Sequence, residues 1–261
     1  MATADAVTTD VHRVNKIPID APWRWLAAGS RDMWRAPYVS LTYGALFTAV
    51  SLFILLGLYF AGALSLMLPL AGGFLVLGPM IAVSLYETSR RLEEKEPVTL
   101  ADMVKFGVYS PSQLAFMGVF LLIIYFVWLE IAFLLFMLFL GPQSLQLEKI
   151  VPTLLFTPGG LGLLIVGTMA GAALAFLVYT VTVVSIPLLM RREVDVVTAV
   201  LTSVRAVTLN PAPMLLWAVL IAGMMAFAFA TLFLGMIVVF PLIGHATWHA
   251  YRSLVVPLKQ N

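Results

Sequence analysis

Cysteine is absent from this sequence, and charged residues are scarce. The 261 residues include three histidines and only 11% charged side chains, whereas soluble domains carry roughly 25%. The lack of cysteine excludes disulfide bridges, thiolate metal sites, iron–sulfur clusters and a cysteine nucleophile. The three histidines, His12, His245 and His249, leave few ligands for a metalloenzyme.

Hydrophobic residues dominate the rest of the chain. They make up 62% of it, against roughly 45–50% in soluble domains, and the mean hydropathy is +1.02. A folded chain of this length cannot hide so much apolar surface from water. The composition therefore indicates an integral membrane protein, with the lipid bilayer as its solvent.

The apolar residues form runs of membrane-spanning length. Residues 1–36 are polar and contain no short apolar core, so we interpret them as a tail rather than a secretory signal. Four runs are each long enough to cross a bilayer core of about 30 Å as a helix: Tyr38–Tyr59, Leu66–Tyr86, Leu114–Leu140 and Leu161–Met190. A fifth run, Met214–Ala250, would form a helix of about 55 Å, so we predict two helices that turn near Leu234 and Gly235.

The positions of the basic residues indicate an orientation. Segments 1–36, 87–112, 191–213 and 252–261 contain 14 of the 15 lysines and arginines. Six spans put all four segments on one side of the membrane, which the positive-inside rule makes cytoplasmic. We therefore predict an all-α protein with six transmembrane helices in three hairpins and with both termini in the cytoplasm.

The sequence predicts three repeats of one structural unit. Before each hairpin, an amphipathic stretch ends at Pro37, Pro111 or Pro211, and proline disfavours helix in the residue before it. The stretches are Trp23–Arg35, Thr99–Tyr109, which opens with a Thr99-x-x-Asp102 capping signal, and Val196–Leu209. We expect them to lie in the cytoplasmic interface. The units cover about 20–95, 96–193 and 194–256 of a single domain, between a disordered tail at 1–19 and a short tail at 257–261.

Histidines and other ionisable groups near the spans are the candidate functional residues. His245 and His249 are four residues apart on the sixth predicted helix, where they could bind a metal or haem, relay protons, or hydrogen-bond to neighbouring helices. Glu87 and His249 occupy equivalent positions in two units, as do Arg90 and Arg252. We expect these four side chains to meet at the cytoplasmic mouth.

Glu130 is the only acid inside a predicted span. One interpretation is a proton- or cation-binding carboxylate that faces an interior cavity. The other is a protonated acid that is hydrogen-bonded to a hydroxyl such as that of Thr168 or Thr180.

Small residues form two rows at helical spacing, which allow close approach of helices within one chain or between chains. The rows are Gly167, Gly171 and Ala175 on the fourth predicted helix, and Ala222, Ala226 and Ala230 on the fifth.

Three stretches of the chain resemble a bacterial family of integral membrane proteins, the domain-of-unknown-function family numbered 2189. The stretches are Leu77–Arg91, Ser185–Pro211 and Pro241–Arg252, of which the last is the most specific. The resemblance covers the chain from about Pro37 to Leu254 and implies a bacterial inner-membrane location. It implies no activity.

No catalytic motif of soluble enzymes is found, so we expect no enzyme activity, no cofactor and no nucleic-acid partner. The first hypothesis is an accessory or scaffold factor that binds other membrane-protein subunits. The second is a small transporter or channel that uses Glu130, His245 and the residues at the cytoplasmic mouth. The third is a haem- or metal-handling protein that uses His245 and His249.

Overall fold

The structure, a computed structural model, describes residues 13–103, 108–141 and 147–256. These residues form eleven α-helices, with short 3₁₀ turns at Leu64–Leu66 and Leu100–Met103. The helices are α1 (Ala21–Arg35), α2 (Pro37–Phe60), α3 (Met67–Ile81), α4 (Val83–Glu93), α5 (Pro111–Leu140), α6 (Leu147–Phe156), α7 (Pro158–Thr182), α8 (Ser185–Arg191), α9 (Val196–Leu209), α10 (Pro211–Ala230) and α11 (Met236–Leu254). The predicted tails at 1–12 and 257–261, and part of the second amphipathic stretch, lie outside the described residues.

Five stretches of described helix are long and apolar enough to cross a membrane. They are Pro37–Phe60, Pro69–Glu93, Pro111–Leu140, Pro158–Arg191 and Pro211–Ala230. The chain is thus an all-helical membrane protein. The remaining long helix, α11, follows α10 after a turn at residues 231–235, as predicted. It does not reach the same apolarity because its second half contains His245, His249 and Arg252, so the sixth span stays a prediction.

Proline starts the first spanning helix of each predicted unit, and the three junctions have nearly the same backbone geometry. The residues before Pro37, Pro111 and Pro211 are Ala36, Ser110 and Asn210. Their φ and ψ angles are −124° and 58°, −122° and 68°, and −128° and 55°, respectively. These values lie outside the helical region, as expected before proline. The chain therefore bends three times in the same way.

The most buried helices are α4 and α8 together with the second half of α11. Every residue from Val83 to Arg90 is buried, and so is every residue from Ser185 to Met190. By contrast, only 11% of the most apolar 18 residues of α5 and 6% of the most apolar 18 residues between Pro158 and Arg191 are buried. The outer surfaces of α5 and α7 therefore face the lipid, while the ends of α4, α8 and α11 form the centre.

Two glycines allow the first helices to lie directly against α11. A Cβ added to Gly29 of α1 would lie 2.6 Å from the backbone nitrogen of Ala246. A Cβ on Gly44 of α2 would collide with the backbone of Ile237. Because neither position has room for a side chain, α1 and α2 approach α11 more closely than larger residues would permit.

The amphipathic helices α1 and α9 expose large apolar side chains. Trp23 and Trp34 of α1 are 55% and 61% exposed, and Val197 of α9 is 57% exposed. The buried face of α9 holds small or polar residues such as Thr202, whereas that of α1 also holds Trp25. The exposed apolar side chains are compatible with contact to lipid, and the interfacial position of these helices stays a prediction.

Residues 14–17, which the sequence predicts as part of a disordered tail, contact the end of α11 and the residue before α10. Val14 forms an antiparallel β-bridge with Val255, and the backbone N–H of Asn15 donates to the carbonyl of Leu254 over 2.8 Å. The backbone N–H of Ile17 donates to the side-chain oxygen of Asn210 over 2.9 Å. The segment looks unstructured in sequence because its partners lie about two hundred residues later.

Candidate functional site

His245 is completely buried between α2 and α4. Its Nε2 lies 2.9 Å from the Oγ of Ser40, and its Nδ1 lies 2.8 Å from the Oγ of Ser89. Both serines are also completely buried. The two hydroxyls therefore satisfy both ring nitrogens, as a neutral imidazole with one donor and one acceptor requires.

A second polar pair lies beside Ser89, toward the surface. The carboxylate of Asp32 is close to Ser89, and its Oδ2 lies 2.7 Å from Nε2 of His249. The side chain of His249 is 25% exposed. We call these five residues, Ser40, His245, Ser89, Asp32 and His249, the His245 relay.

The carboxylate of Asp32 is held in its charged form by its neighbours. Burial by itself raises the pKa of Asp32, but the hydrogen bonds from His249 and Ser89 outweigh this effect and hold the pKa below its ordinary value. Asp32 is therefore charged near neutral pH.

The relay joins four helices, because Asp32 lies on α1, Ser40 on α2, Ser89 on α4 and both histidines on α11. Sequence reasoning identified only the histidines. For Asp32 a signal existed, since the residue follows Trp25 and Gly29 by seven and three positions and so shares their helix face. Nothing in the sequence distinguished Ser40 or Ser89 from other serines near span ends.

A second polar group surrounds Arg90 at the end of α4. The guanidinium of Arg90 contacts Glu87 through two bonds of 2.7 and 2.8 Å, and it also contacts Glu94 and Glu96. Glu87 is 3% exposed and Arg90 is 8% exposed. A bidentate pair with further carboxylates is the arrangement that stabilises a buried arginine.

Arg91 connects this group to the following segment. Its Nε lies 2.9 Å from Glu87, and its Nη1 lies 3.1 Å from Asp102. The backbone N–H of Thr99 donates to Oδ2 of Asp102 over 2.7 Å, which is the geometry of the predicted capping signal. Burial tends to raise the pKa of Asp102, but the bonds from Thr99 and the charge of Arg91 keep it below its ordinary value.

The residues expected at the cytoplasmic mouth form separate pairs rather than one cluster. Glu87 pairs with Arg90, His249 pairs with Asp32, and Arg252 lies 2.8 Å from Glu93. Glu93 also accepts a hydrogen bond of 3.2 Å from the indole N–H of Trp248. The four side chains therefore do not form one group, because Asp32 of α1 and Glu93 of α4 are the partners of His249 and Arg252.

Glu130 does not face the interior. It lies on the exposed surface of α5, and its suggested partner Thr180 donates instead to the carbonyl of Phe176 in its own helix. Two cavities lie between the helices, one lined mainly by α2 and α3 and one by α3, α10 and α11, and neither is lined by Glu130 or His245. Glu130 is therefore exposed, whereas His245 is completely buried.

The two rows of small residues differ in their surroundings. A Cβ on Gly171 would lie 3.1 Å from the ring of Trp128 on α5, whereas one on Gly167 would approach only Leu163 of its own helix. Ala175 is half-buried. The other row is exposed along its whole length, at Ala222, Ala226 and Ala230.

Among the described residues, only the two histidines His245 and His249 could offer imidazole ligands to a metal. No group of three or more histidines or carboxylates there has the geometry to hold an ion. The nitrogens of His245 contact serines, and Nε2 of His249 contacts Asp32. The geometry therefore lends no support to the metal- or haem-handling hypothesis.

The comparison with known families agrees with these features. A search of the curated proteins and a search of the solved structures gave no match. The third stretch of the resemblance, Pro241–Arg252, and residues 192–211 of the second lie outside the matched part of the chain, so their assignment stays a prediction. Residues 66–191, which include α3 to α8, match the model of the family described as "Predicted integral membrane protein (DUF2189)", and this match confirms the resemblance to that family.

Proposed function

We propose that this chain is a six-span, non-enzymatic accessory or scaffold factor of a bacterial inner-membrane complex. The observation that carries the proposal is the closure of the His245 relay. Its buried polar groups pair with one another and hold α1, α2, α4 and α11 together. Such groups stabilise the packing of these helices inside the protein, and they leave the outer helix faces free for other subunits.

The position of the chain ends supports six spans with both termini in the cytoplasm. The bridge between Val14 and Val255 joins the segment before α1 to the segment after α11. Two ends on the same side require an even number of crossings, whereas five spans would separate them by the bilayer core of about 30 Å. Most basic residues flank the same ends of the helices, as cytoplasmic residues do.

The packing supports three units, at about 20–95, 96–193 and 194–256, arranged in a ring. The amphipathic helix α1 of the first unit packs on α11 of the third, and α9 of the third packs on α7 and α8 of the second. The described turn at Leu100–Met103 of the second unit contacts α4 of the first. Each amphipathic segment thus lies on the hairpin of the unit before it, in cyclic order.

The charges where the units meet are almost balanced. Contacts extend from Glu94 to Arg191 of the second unit and from Glu93 to Arg252 of the third. The carboxylates there are Glu87, Glu93, Glu94, Glu96 and Asp102, and the arginines are Arg90, Arg91, Arg191 and Arg252. Paired charges of opposite sign do not create the one-signed field that attracts an ionic substrate, which favours a structural role.

The experiment that tests the proposal is purification of the tagged protein from its membrane in a mild detergent, with quantification of co-purifying subunits. We expect one or more membrane subunits in fixed ratio to the chain. In a reconstituted vesicle the protein should produce no proton or cation flux above that of empty vesicles. Isolation of the chain alone under conditions that preserve other complexes would contradict the proposal.

Proton transfer is the second candidate, because the relay reaches the surface at His249. A relay that conducts protons would produce a flux in vesicles that Ser89→Ala abolishes while the fold survives. A purely structural role predicts no proton flux, together with lower stability of Ser89→Ala. The same variant therefore separates the two functions.

A further inference from the structure

Glu130 lies in the middle of an exposed apolar surface. The residues one helical turn before and after it on α5 are Phe126, Val127, Phe133 and Leu134, which are 63%, 49%, 55% and 63% exposed. Trp128 is turned about 200° from Glu130 around the helix, and its indole N–H donates to the carbonyl of Pro69 inside the protein. Glu130 therefore points away from the bundle.

The exposed apolar surface of α5 has the length of a bilayer core. It extends from Phe116 to Leu138, which is about 33 Å at the rise of an α-helix and close to the thickness of the hydrocarbon layer. Glu130 lies about 21 Å from one edge of this surface and about 12 Å from the other. Its carboxyl is thus at a depth where lipid alone is a poor environment and a polar partner is expected.

We propose that the face of α5 around Glu130 docks a transmembrane helix of another protein that carries a lysine or arginine at the depth of Glu130. The docking face consists of Phe126, Val127, Glu130, Phe133 and Leu134. This inference rests on the proposed accessory function, and it identifies the chemistry of the partner. A basic side chain pairs with the carboxylate, and the surrounding apolar residues contact the rest of the partner helix.

Charge complementarity argues against a second copy of this chain as the occupant. The helices α2, α5, α7 and α10 contain no lysine or arginine. A second copy would therefore bring no cation to this depth from these helices, and two copies related by a twofold axis through α5 would bring two carboxylates together. The partner is accordingly a different protein.

Synthetic transmembrane peptides in lipid nanodiscs test the proposal. The probe is a Leu/Ala-rich helix of about 20 residues with one lysine about 12 Å from its outer end, and the control peptide has leucine in place of the lysine. We expect energy transfer from the labelled protein to the lysine peptide at about tenfold lower peptide density than to the control. Glu130→Leu should abolish this difference and Glu130→Gln should reduce it, while Val119→Leu, at another exposed position of α5, should leave it unchanged.

Two results would overturn the inference. The first is equal binding of both peptides, or a preference for lysine that survives in Glu130→Leu. The second is a dimer of the wild-type protein in nanodiscs that Glu130→Leu converts to a monomer, which would make a second copy the occupant. Unfolding of Glu130→Leu by heat serves as a control for folding, and since the side chain is exposed we expect no loss of stability.

Co-purification separates the failure of this inference from the failure of the accessory function. If a native subunit purifies with wild type and equally with Glu130→Leu, the accessory function stands and the docking site is wrong. If no subunit purifies with wild type while the lysine peptide still binds at Glu130, the accessory function is wrong and the basic-helix site stands.

Discussion

Oδ2 of Asp32 lies 2.7 Å from Nε2 of His249, although 217 residues separate the two in sequence. The pair joins the first helix of the fold to the last, beside the hydrogen bond between buried His245 and Ser89. Asp32 is itself buried, so its negative charge depends on these hydrogen-bond donors. Removal of either partner leaves a polar group in an apolar environment.

Replacement of Asp32 by alanine should destabilise the protein by about 1–3 kcal/mol, the cost of unpaired buried hydrogen-bonding groups. The measurement is the free energy of unfolding in detergent micelles. Asp20→Ala is the matched control, because Asp20 forms an exposed pair with Arg24, and exposed pairs contribute about 0–1 kcal/mol. Equal losses in the two variants would contradict a structural role for Asp32.

Acid should weaken the fold through Asp32. Its pKa is lowered in the folded state, so the unfolded chain binds a proton more readily than the folded protein does. The stabilisation is therefore complete above the unfolded pKa of about 3.9 and is lost as pH falls through the lower folded value. Thermal unfolding between pH 3 and 6 checks this, and Asp32→Asn should lose less stability on acidification than wild type. An equal loss of stability on acidification in wild type and Asp32→Asn would refute the role of Asp32.

Ser89→Ala should cost about 1–3 kcal/mol because buried His245 loses a hydrogen-bond partner. A double-mutant cycle with His245→Leu measures the coupling between the two side chains, which should be about 0.5 kcal/mol or more for residues in contact. Thr208→Ala is the control, since this exposed hydroxyl bonds only to its own helix and should change stability by about 0.5 kcal/mol or less. Additive losses would mean that the relay does not act as a unit.

Two glycines of α2 should respond to alanine in opposite directions. Gly44→Ala places a methyl group against the backbone of Ile237 and should separate α2 from α11, lowering stability by about 1–3 kcal/mol. Gly57→Ala meets no atom within 4 Å and should stabilise its helix by about 0.5–1 kcal/mol. Thermal unfolding of both variants in one detergent gives the comparison. A neutral Gly44→Ala would contradict the close contact.

Arg90→Ala should lower stability by about 3–5 kcal/mol, because Glu87 would be left buried with one cation fewer. Arg90→Lys should recover only part of this loss, since an ammonium group cannot form the bidentate contact. Arg24→Ala, in an exposed pair, is the control and should change little. The measurement is the free energy of unfolding of the three variants in denaturant. Full recovery of stability in Arg90→Lys would contradict the bidentate geometry.

The spans and their junctions could be predicted from the sequence because both depend on local properties. Long apolar runs specify helices such as α2, and a proline such as Pro211 fixes where a helix begins. The turn at residues 231–235 follows from length alone, since a single helix would be too long for the membrane.

The orientation of Glu130 could not be predicted, and the reason is physical. The residues of α5 are apolar all around the helix, so the sequence contains no polar face to distinguish inside from outside. The same holds for α10, where Ala226 is exposed while Ala228 is buried. Asp32 was missed for another reason: its place on the helix face of Trp25 and Gly29 does not identify its partners, which lie on other helices.

The packing of α1 and α2 on α11 has a consequence for biosynthesis. The first helices leave the ribosome before α11, on which they pack, has been made. Synthesis of the roughly 200 residues in between takes about 10–40 s at common elongation rates of about 5–20 residues per second. During this interval Gly44 and Asp32 have no contact with α11. A nascent chain that stops before Met236 would present an unpaired carboxylate and an uncovered helix surface to the membrane's quality-control proteases.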